Sequence, residues 1–127
     1  MPLVRIDIPD HFDSGIEIEI GSIVYDAMIE CLKVPDDDKF QVLTRHAASH
    51  IVKPNSYLGI EYSDGLVIIQ ITLNEGRTTD IKKSFYSKIA ERLNATLNIR
   101  KEDIFISLVE VNKENWSFGN GEMQYGP

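Results

Sequence analysis

Pro2 and Arg77 carry the functional groups in this sequence best suited to carbonyl chemistry. With Met1 removed, the Pro2 nitrogen becomes a secondary amine, fixed by a strand that begins at the next residue. A free α-amino group titrates at about 8 in model peptides. An apolar surrounding lowers that value by disfavouring the cation, and a neighbouring carboxylate raises it. The first arrangement gives a general base that takes a proton from carbon beside a carbonyl; the second gives a cation that polarises or protonates. With Met1 retained, the same nitrogen is an amide without useful basicity, and the proline merely follows the initiator. Arg77 closes a long apolar segment. Its guanidinium can grip a carboxylate through two parallel N–H donors and stabilise a developing enolate. The alternative is a surface arginine paired with Glu75 or Asp80.

Other reactive types lead nowhere comparable. His46 and His50 look like a pair, but no Cys or Glu completes a metal set, so a structural role is expected. Cys31 is the one cysteine and cannot form an intramolecular disulfide. No Gly-rich phosphate loop and no Ser-His-Asp signature occurs. Neither a metal nor a cofactor is expected.

The elements that must position these groups follow from periodicity. Leu3 to Ile8 alternates apolar and polar, as a half-buried strand does. Ser14 and Glu17 fit a capping box. Behind them Ile16, Ile20, Val24, Met28 and Leu32 recur every four residues, one face of a helix that Pro35 stops. Alternation over Ile16–Ile20 also fits a strand, but the unbroken stripe to Leu32 favours the helix. Phe40–Thr44 reads as a strand, Ala47–Ser56 as loop, and Leu58–Tyr62 as a short strand. Asp64-Gly65 marks a tight turn before a β-branched strand, Leu66–Leu73. A second helix starts near Thr78 or Thr79 with Asp80 in its first turn, and its stripe is Ile81, Phe85, Ile89, Leu93 and Leu97. Ile104–Val109 is the last strand, followed by a tail rich in Gly and aromatics.

The two halves match at a constant offset: Val24 with Ile89, Met28 with Leu93, Leu32 with Leu97, Asp38 with Asp103, Phe40 with Phe105. Each half is a β-α-β unit with an expected right-handed crossover. The expected fold class is α+β, two β-α-β repeats forming a mainly parallel four-stranded sheet with two helices on one face. The other face is left bare, which parallel sheets rarely tolerate, so burial against copies of the same chain is expected.

Composition sets the outer bounds. The 127 residues suit one domain over 1–127. A net charge of -7 argues against a nucleic-acid partner. No apolar stretch reaches the roughly 20 residues of a membrane span, and no signal peptide is visible. A cytoplasmic protein is expected.

Taken together, Pro2 with Leu3-Val4-Arg5, Val34-Pro35 with Asp38, His46-Ala47-Ala48, Leu58-Gly59-Ile60, Arg77-Thr78, Phe85-Tyr86 and Trp116-Ser117-Phe118-Gly119 resemble the tautomerase superfamily. Within it, the chain is most similar to the malonate semialdehyde decarboxylase group. The resemblance implies a homotrimer with a pocket at each subunit boundary and places Pro2, Asp38 and Arg77 on catalytic positions, Asp38 supporting the proline and helping to activate water. It places Trp116, Phe118 and Tyr125 on an apolar pocket wall, which excludes water and strengthens charge interactions. Alternatively, Asp38 is a solvated turn residue like Asp36 and Asp37, and the aromatic tail only packs on a neighbour. One departure stands out. The group carries a second arginine two residues before Arg77, where this chain has Glu75, a carboxylate that would repel an anionic substrate.

The implied activity is keto–enol tautomerisation, or decarboxylation of a malonate-semialdehyde-like 3-oxo acid, on small oxo-acid substrates. A non-catalytic trimer that keeps the scaffold for binding or assembly is the other reading. Glu75 and a retained Met1 favour that second reading; Asp38, Arg77 and the aromatic wall favour the enzyme.

Overall fold

The computed structural model describes residues 2–126. Its elements run β1 (Leu3–Pro9), α1 (Ile16–Leu32), β2 (Phe40–His46), β3 (Ser56–Tyr57), β4 (Ile60–Glu61), β5 (Val67–Asn74), α2 (Thr79–Leu97) and β6 (Ile104–Val111). The four long strands form one sheet in the order β2-β1-β5-β6. Within each repeat the strands are parallel, β1 with β2 and β5 with β6, as a helical crossover requires. The repeats meet across β1 and β5, which pair antiparallel at the sheet's centre. The sheet is thus mainly parallel with one antiparallel seam. That seam has a consequence for the site: the starts of β1 and β2 and the ends of β5 and β6 all lie along one edge.

Alternation along the strands decides what the core contains. Val4, Ile6 and Ile8 of β1 and Val67, Ile69, Ile71 and Leu73 of β5 are buried beneath the helices. The helices answer with the stripes expected of them, Ile20, Val24, Met28 and Leu32 from α1 and Phe85, Ile89 and Leu93 from α2. Ile16 and Leu97, at the outer ends of the stripes, pack only partly, and Ile81, expected in the second stripe, is exposed in the first turn of α2. The helices also lie against each other, closing one layer over one face of the sheet. On the opposite face the register lines up Phe40 with Leu3, Val42 with Arg5, Phe105 with Ile68 and Val109 with Thr72. Phe40, Val42, Phe105 and Val109 are 50%, 39%, 44% and 38% exposed there, so this bare face presents apolar side chains interspersed with polar ones such as Arg5, Asp7 and Gln70. Among the described residues, no helix is long and apolar enough to cross a membrane.

Three local expectations need correction. The start of α1 is not a capping box: the N-cap is Gly15, in a left-handed conformation at φ 83°, with no side-chain cap. Glu17 instead pairs with Arg45 of β2, whose guanidinium also holds the carbonyls of Phe12 (2.7 Å) and Asp13 (2.5 Å). A tertiary ion pair thus replaces the local cap. At the other end, α1 closes at Leu32 with Lys33 left-handed, before Pro35 is reached. Finally, Leu58 belongs to no strand. It forms, with Gly59, the turn of the β3–β4 hairpin at φ 50° and lies 85% exposed. The second helix matches closely, with Thr78 as N-cap accepting from the Ile81 amide at 3.2 Å.

Candidate active site

The edge of the sheet created by the antiparallel seam gathers four segments. These are Pro2 before β1, the 33–39 loop before β2, the 75–78 loop after β5, and the tail after β6. Pro2 is buried there. It lines a cavity of about 230 Å³ together with Leu3, Phe40, Trp116, Ser117 and Phe118. Leu3 and Phe40 are neighbours by strand register. Trp116 stacks on Phe118, ring centres 5.3 Å apart and planes 17° off parallel, and Tyr125 stands edge-on behind Phe118 at 5.2 Å. Pro2, Trp116 and Phe118 are therefore brought together, with Tyr125 one ring further out. Asp38 and Arg77 belong to the same edge of the sheet but do not line this cavity within one chain.

Arg77 is held in place. One guanidinium nitrogen donates to the carbonyl of Asn74 and the other to that of Leu32, each at 2.9 Å. It pairs with neither Glu75 nor Asp80 among the described residues. Two of its five N–H donors are used, leaving three and the full charge. The 33–39 loop is set by a turn in which the Asp38 amide donates to the Pro35 carbonyl at 3.1 Å. Burial, and then the charges of Asp36, Asp37, Asp26 and Asp38, push the Tyr25 hydroxyl above its ordinary range, and Lys39 lies 4.9 Å over its ring. On the other side, a hydrogen bond from Lys82 chiefly holds the Glu110 carboxyl below its ordinary value, with a smaller contribution from the charge of Arg77.

The second repeat shows what the matching position does when no chain end is present. Asp103, the counterpart of Asp38, is buried at the opposite edge beside a hollow of about 320 Å³. Its carboxylate accepts from the Ser63 amide (2.9 Å), the Ser63 hydroxyl (2.5 Å) and Arg100 (3.2 Å). It is thus consumed by structure. His46, half of the histidine pair, is bound to Asp7 through Nε2 at 2.6 Å on the bare sheet face. Sequence reasoning missed Asn74, whose side-chain oxygen accepts the Trp116 indole N–H at 2.8 Å. Its place at the end of an alternating strand, on the face shared with Thr72, was the available signal.

A family model described as "Tautomerase enzyme" matches residues 38–119. The "Probable tautomerase YusQ" of Bacillus subtilis (strain 168) is 39% identical over 124 residues, covering 98% of each chain. Among solved structures, FG41 malonate semialdehyde decarboxylase inhibited by 3-bromopropiolate superposes with a TM-score of 0.88 at 36% identity, over 97% of this chain and 93% of that one. A fused 4-OT solved as a symmetric trimer shares the fold, with a TM-score of 0.76 at 18% identity over 94% of each chain. The chain belongs to the tautomerase family, as an enzyme of that superfamily near the malonate semialdehyde decarboxylases.

Proposed function

We propose that this chain is a homotrimeric enzyme whose Pro2 nitrogen, freed by removal of Met1, acts as acid or base on small oxo acids. The reaction is keto–enol tautomerisation or decarboxylation of a malonate-semialdehyde-like 3-oxo acid. One observation carries the reading: Pro2 is buried in the floor of a cavity walled by Leu3, Phe40, Trp116 and Phe118. Such a wall disfavours the prolinium cation and excludes water, the conditions under which the amine is a base. The neutral nitrogen takes a proton from the carbon beside the substrate carbonyl, and the electron pair left behind forms an enolate. In decarboxylation the same enolate forms when the carbon–carboxylate bond breaks and carbon dioxide leaves. Arg77, pinned by two carbonyls and keeping three donors, would hold the substrate carboxylate and the developing negative charge without reorganising. Asp38, on the neighbouring loop, would support the prolyl nitrogen.

The trimer is supported by the exposed apolar side chains on the bare sheet face and by the shared fold with a trimeric fused 4-OT. The cavity wall includes Leu3 and Phe40 of that face, so the pocket opens at the boundary between subunits. A cytoplasmic location fits the lone free Cys31. The deciding experiment separates processed protein from protein retaining Met1, quantified by mass spectrometry, and compares enolisation of phenylpyruvate. Activity confined to the processed form is expected. Equal specific activity in both forms removes the prolyl nitrogen from the mechanism.

A further inference from the structure

The aromatic wall packs against Pro2, Leu3 and Phe40, but its tail has almost no hydrogen bonds to the body of the protein. Beyond β6, the described hydrogen bonds of residues 112–126 are internal to the tail with one exception. Asn115 donates to the Asn112 carbonyl at 3.0 Å, the Phe118 amide to the Gln124 side chain at 2.8 Å, and Gln124 Nε2 to the Gly119 carbonyl at 2.9 Å. Glu122 and Gly126 likewise close turns within the tail. The exception is the Trp116 indole N–H, which reaches the Asn74 side-chain oxygen at 2.8 Å. An indole nitrogen can only donate, so the orientation of the Asn74 amide is fixed by its partner. Asn74 also uses its main-chain carbonyl to hold Arg77 at 2.9 Å. The strand register sets Asn74 beside Val111, the last residue before the tail. One residue thus touches both the aromatic wall and the cation.

We propose that Asn74 is a positioning residue of this active site, latching Trp116, and with it the stacked Phe118 and Tyr125, over Pro2. The assignment rests on the catalytic reading of the Pro2 cavity. The rings form a connected stack, so releasing Trp116 releases the wall as a unit. Water then enters beside the prolyl nitrogen, and the apolar surrounding that favours its neutral form is lost. The acceptor on Asn74 is what matters, rather than the volume of its side chain.

Trp116 is the only tryptophan, so fluorescence excited selectively at the indole reports the wall alone. Asn74→Leu keeps the side-chain shape and removes the acceptor. Its emission should shift to the red, and acrylamide should quench it at least about twofold more strongly, while kcat/KM for Pro2-dependent enolisation falls on the order of tenfold, the scale of one lost contact in the transition state. Asn74→Asp keeps an acceptor and should restore the emission and quenching of the original protein. If Asn74→Leu leaves emission and quenching unchanged, there is no latch. If quenching rises but kcat/KM stays at the original value, Asn74 holds the tail without positioning the site, and the proposal is overturned. Should Asn74→Leu fail to fold, Trp116→Phe removes the same N–H from the other side and must show the same loss of kcat/KM. Where Asn74→Leu does fold, the double variant must be no worse than Trp116→Phe alone, since both changes break one contact; a further loss in the double variant refutes the coupling. If processed wild-type protein has no Pro2-dependent activity, the catalytic reading fails, and fluorescence still decides whether Asn74 holds the wall.

Discussion

The guanidinium of Arg77 holds the carbonyl of Leu32 at 2.9 Å across 45 residues of chain, tying the start of α2 to the last turn of α1. The orphaned carbonyls at a helix C-terminus carry partial negative charge, and a cation there is favourable. The contact has a second effect: it fixes the cation beside the 33–39 loop that carries Asp38. The same arginine therefore serves the junction between the repeats and the edge of the sheet where Pro2 lies.

Arg77→Ala should then lower both stability and activity, by different routes. Losing two hydrogen bonds from a charged donor costs roughly 1.5 to 3 kcal/mol each at most, and water admitted to the vacated site offsets part of it. The catalytic loss, if Arg77 stabilises the enolate, is on the order of 2 to 4 kcal/mol, judged by deletions of oxyanion donors. It should fall on kcat/KM, because substrate carboxylate and developing charge depend on the same group. Denaturant titration and steady-state kinetics separate the two. A variant that is less stable but fully active below its unfolding transition makes Arg77 a brace only.

The bare sheet face makes a prediction of its own. Val42 and Val109 lie on opposite edge strands and are 39% and 38% exposed in the single chain. Association would bury them, and a charge placed there would be desolvated without a partner. Sedimentation of the unaltered protein should give about three chain masses. Val42→Asp should give monomers or unfolded chains at micromolar concentration. A Val42→Asp protein that still sediments as a trimer places the interface elsewhere.

Asp103 tests the idea that the second repeat spent its carboxylate on structure. Asp103→Ala leaves the amide and hydroxyl of Ser63 without their acceptor and should destabilise by on the order of 3 kcal/mol. Asp103→Asn keeps one acceptor oxygen and should lose less. Both should retain kcat/KM within about twofold below the unfolding transition. Loss of activity at unchanged stability would instead give the opposite edge of the sheet a part in the reaction.

The elements were legible where a single period ran long enough to define a face. The stripes Ile20–Leu32 and Phe85–Leu93 located both helices, and β5 was plain from its β-branched run. The capping box failed because its two residues were read only against each other, whereas Arg45, 28 residues on, competes for Glu17. Leu58 misled because an apolar type was taken for a strand, although the following glycine allowed a turn. For the site, Pro2 stands out by the chemistry of its nitrogen, whereas the wall of Trp116, Phe118 and Tyr125 comes only from the family resemblance. Alternation puts Asn74 on the face of Thr72, but its contact with Trp116 depends on the register of β5 against β6, which no local pattern sets.

Glu75 gives the last prediction. It follows β5, and its amide donates to the Val111 carbonyl at 3.0 Å, so the backbone is anchored while the side chain is exposed. Gly76 beside it sits at φ 129°, where only glycine is comfortable, and takes up the sharp bend of the loop. Replacing the side chain at 75 should therefore leave the fold alone. Glu75 contributes a negative charge two residues from the cation, and an anionic 3-oxo acid must approach against it. Glu75→Arg reverses that charge and supplies a second guanidinium for the substrate carboxylate or the forming enolate. The rate of malonate semialdehyde decarboxylation should rise on the order of tenfold, equivalent to about 1.4 kcal/mol in the barrier. Enolisation of phenylpyruvate, also an anion but with a phenyl ring that can bind the aromatic wall, should gain less, about twofold. Both rates are measured on the same processed preparation, with urea stability as the control. If decarboxylation is unchanged while stability is intact, the side chain at 75 points away from the pocket, and its charge has no hold on the choice of reaction.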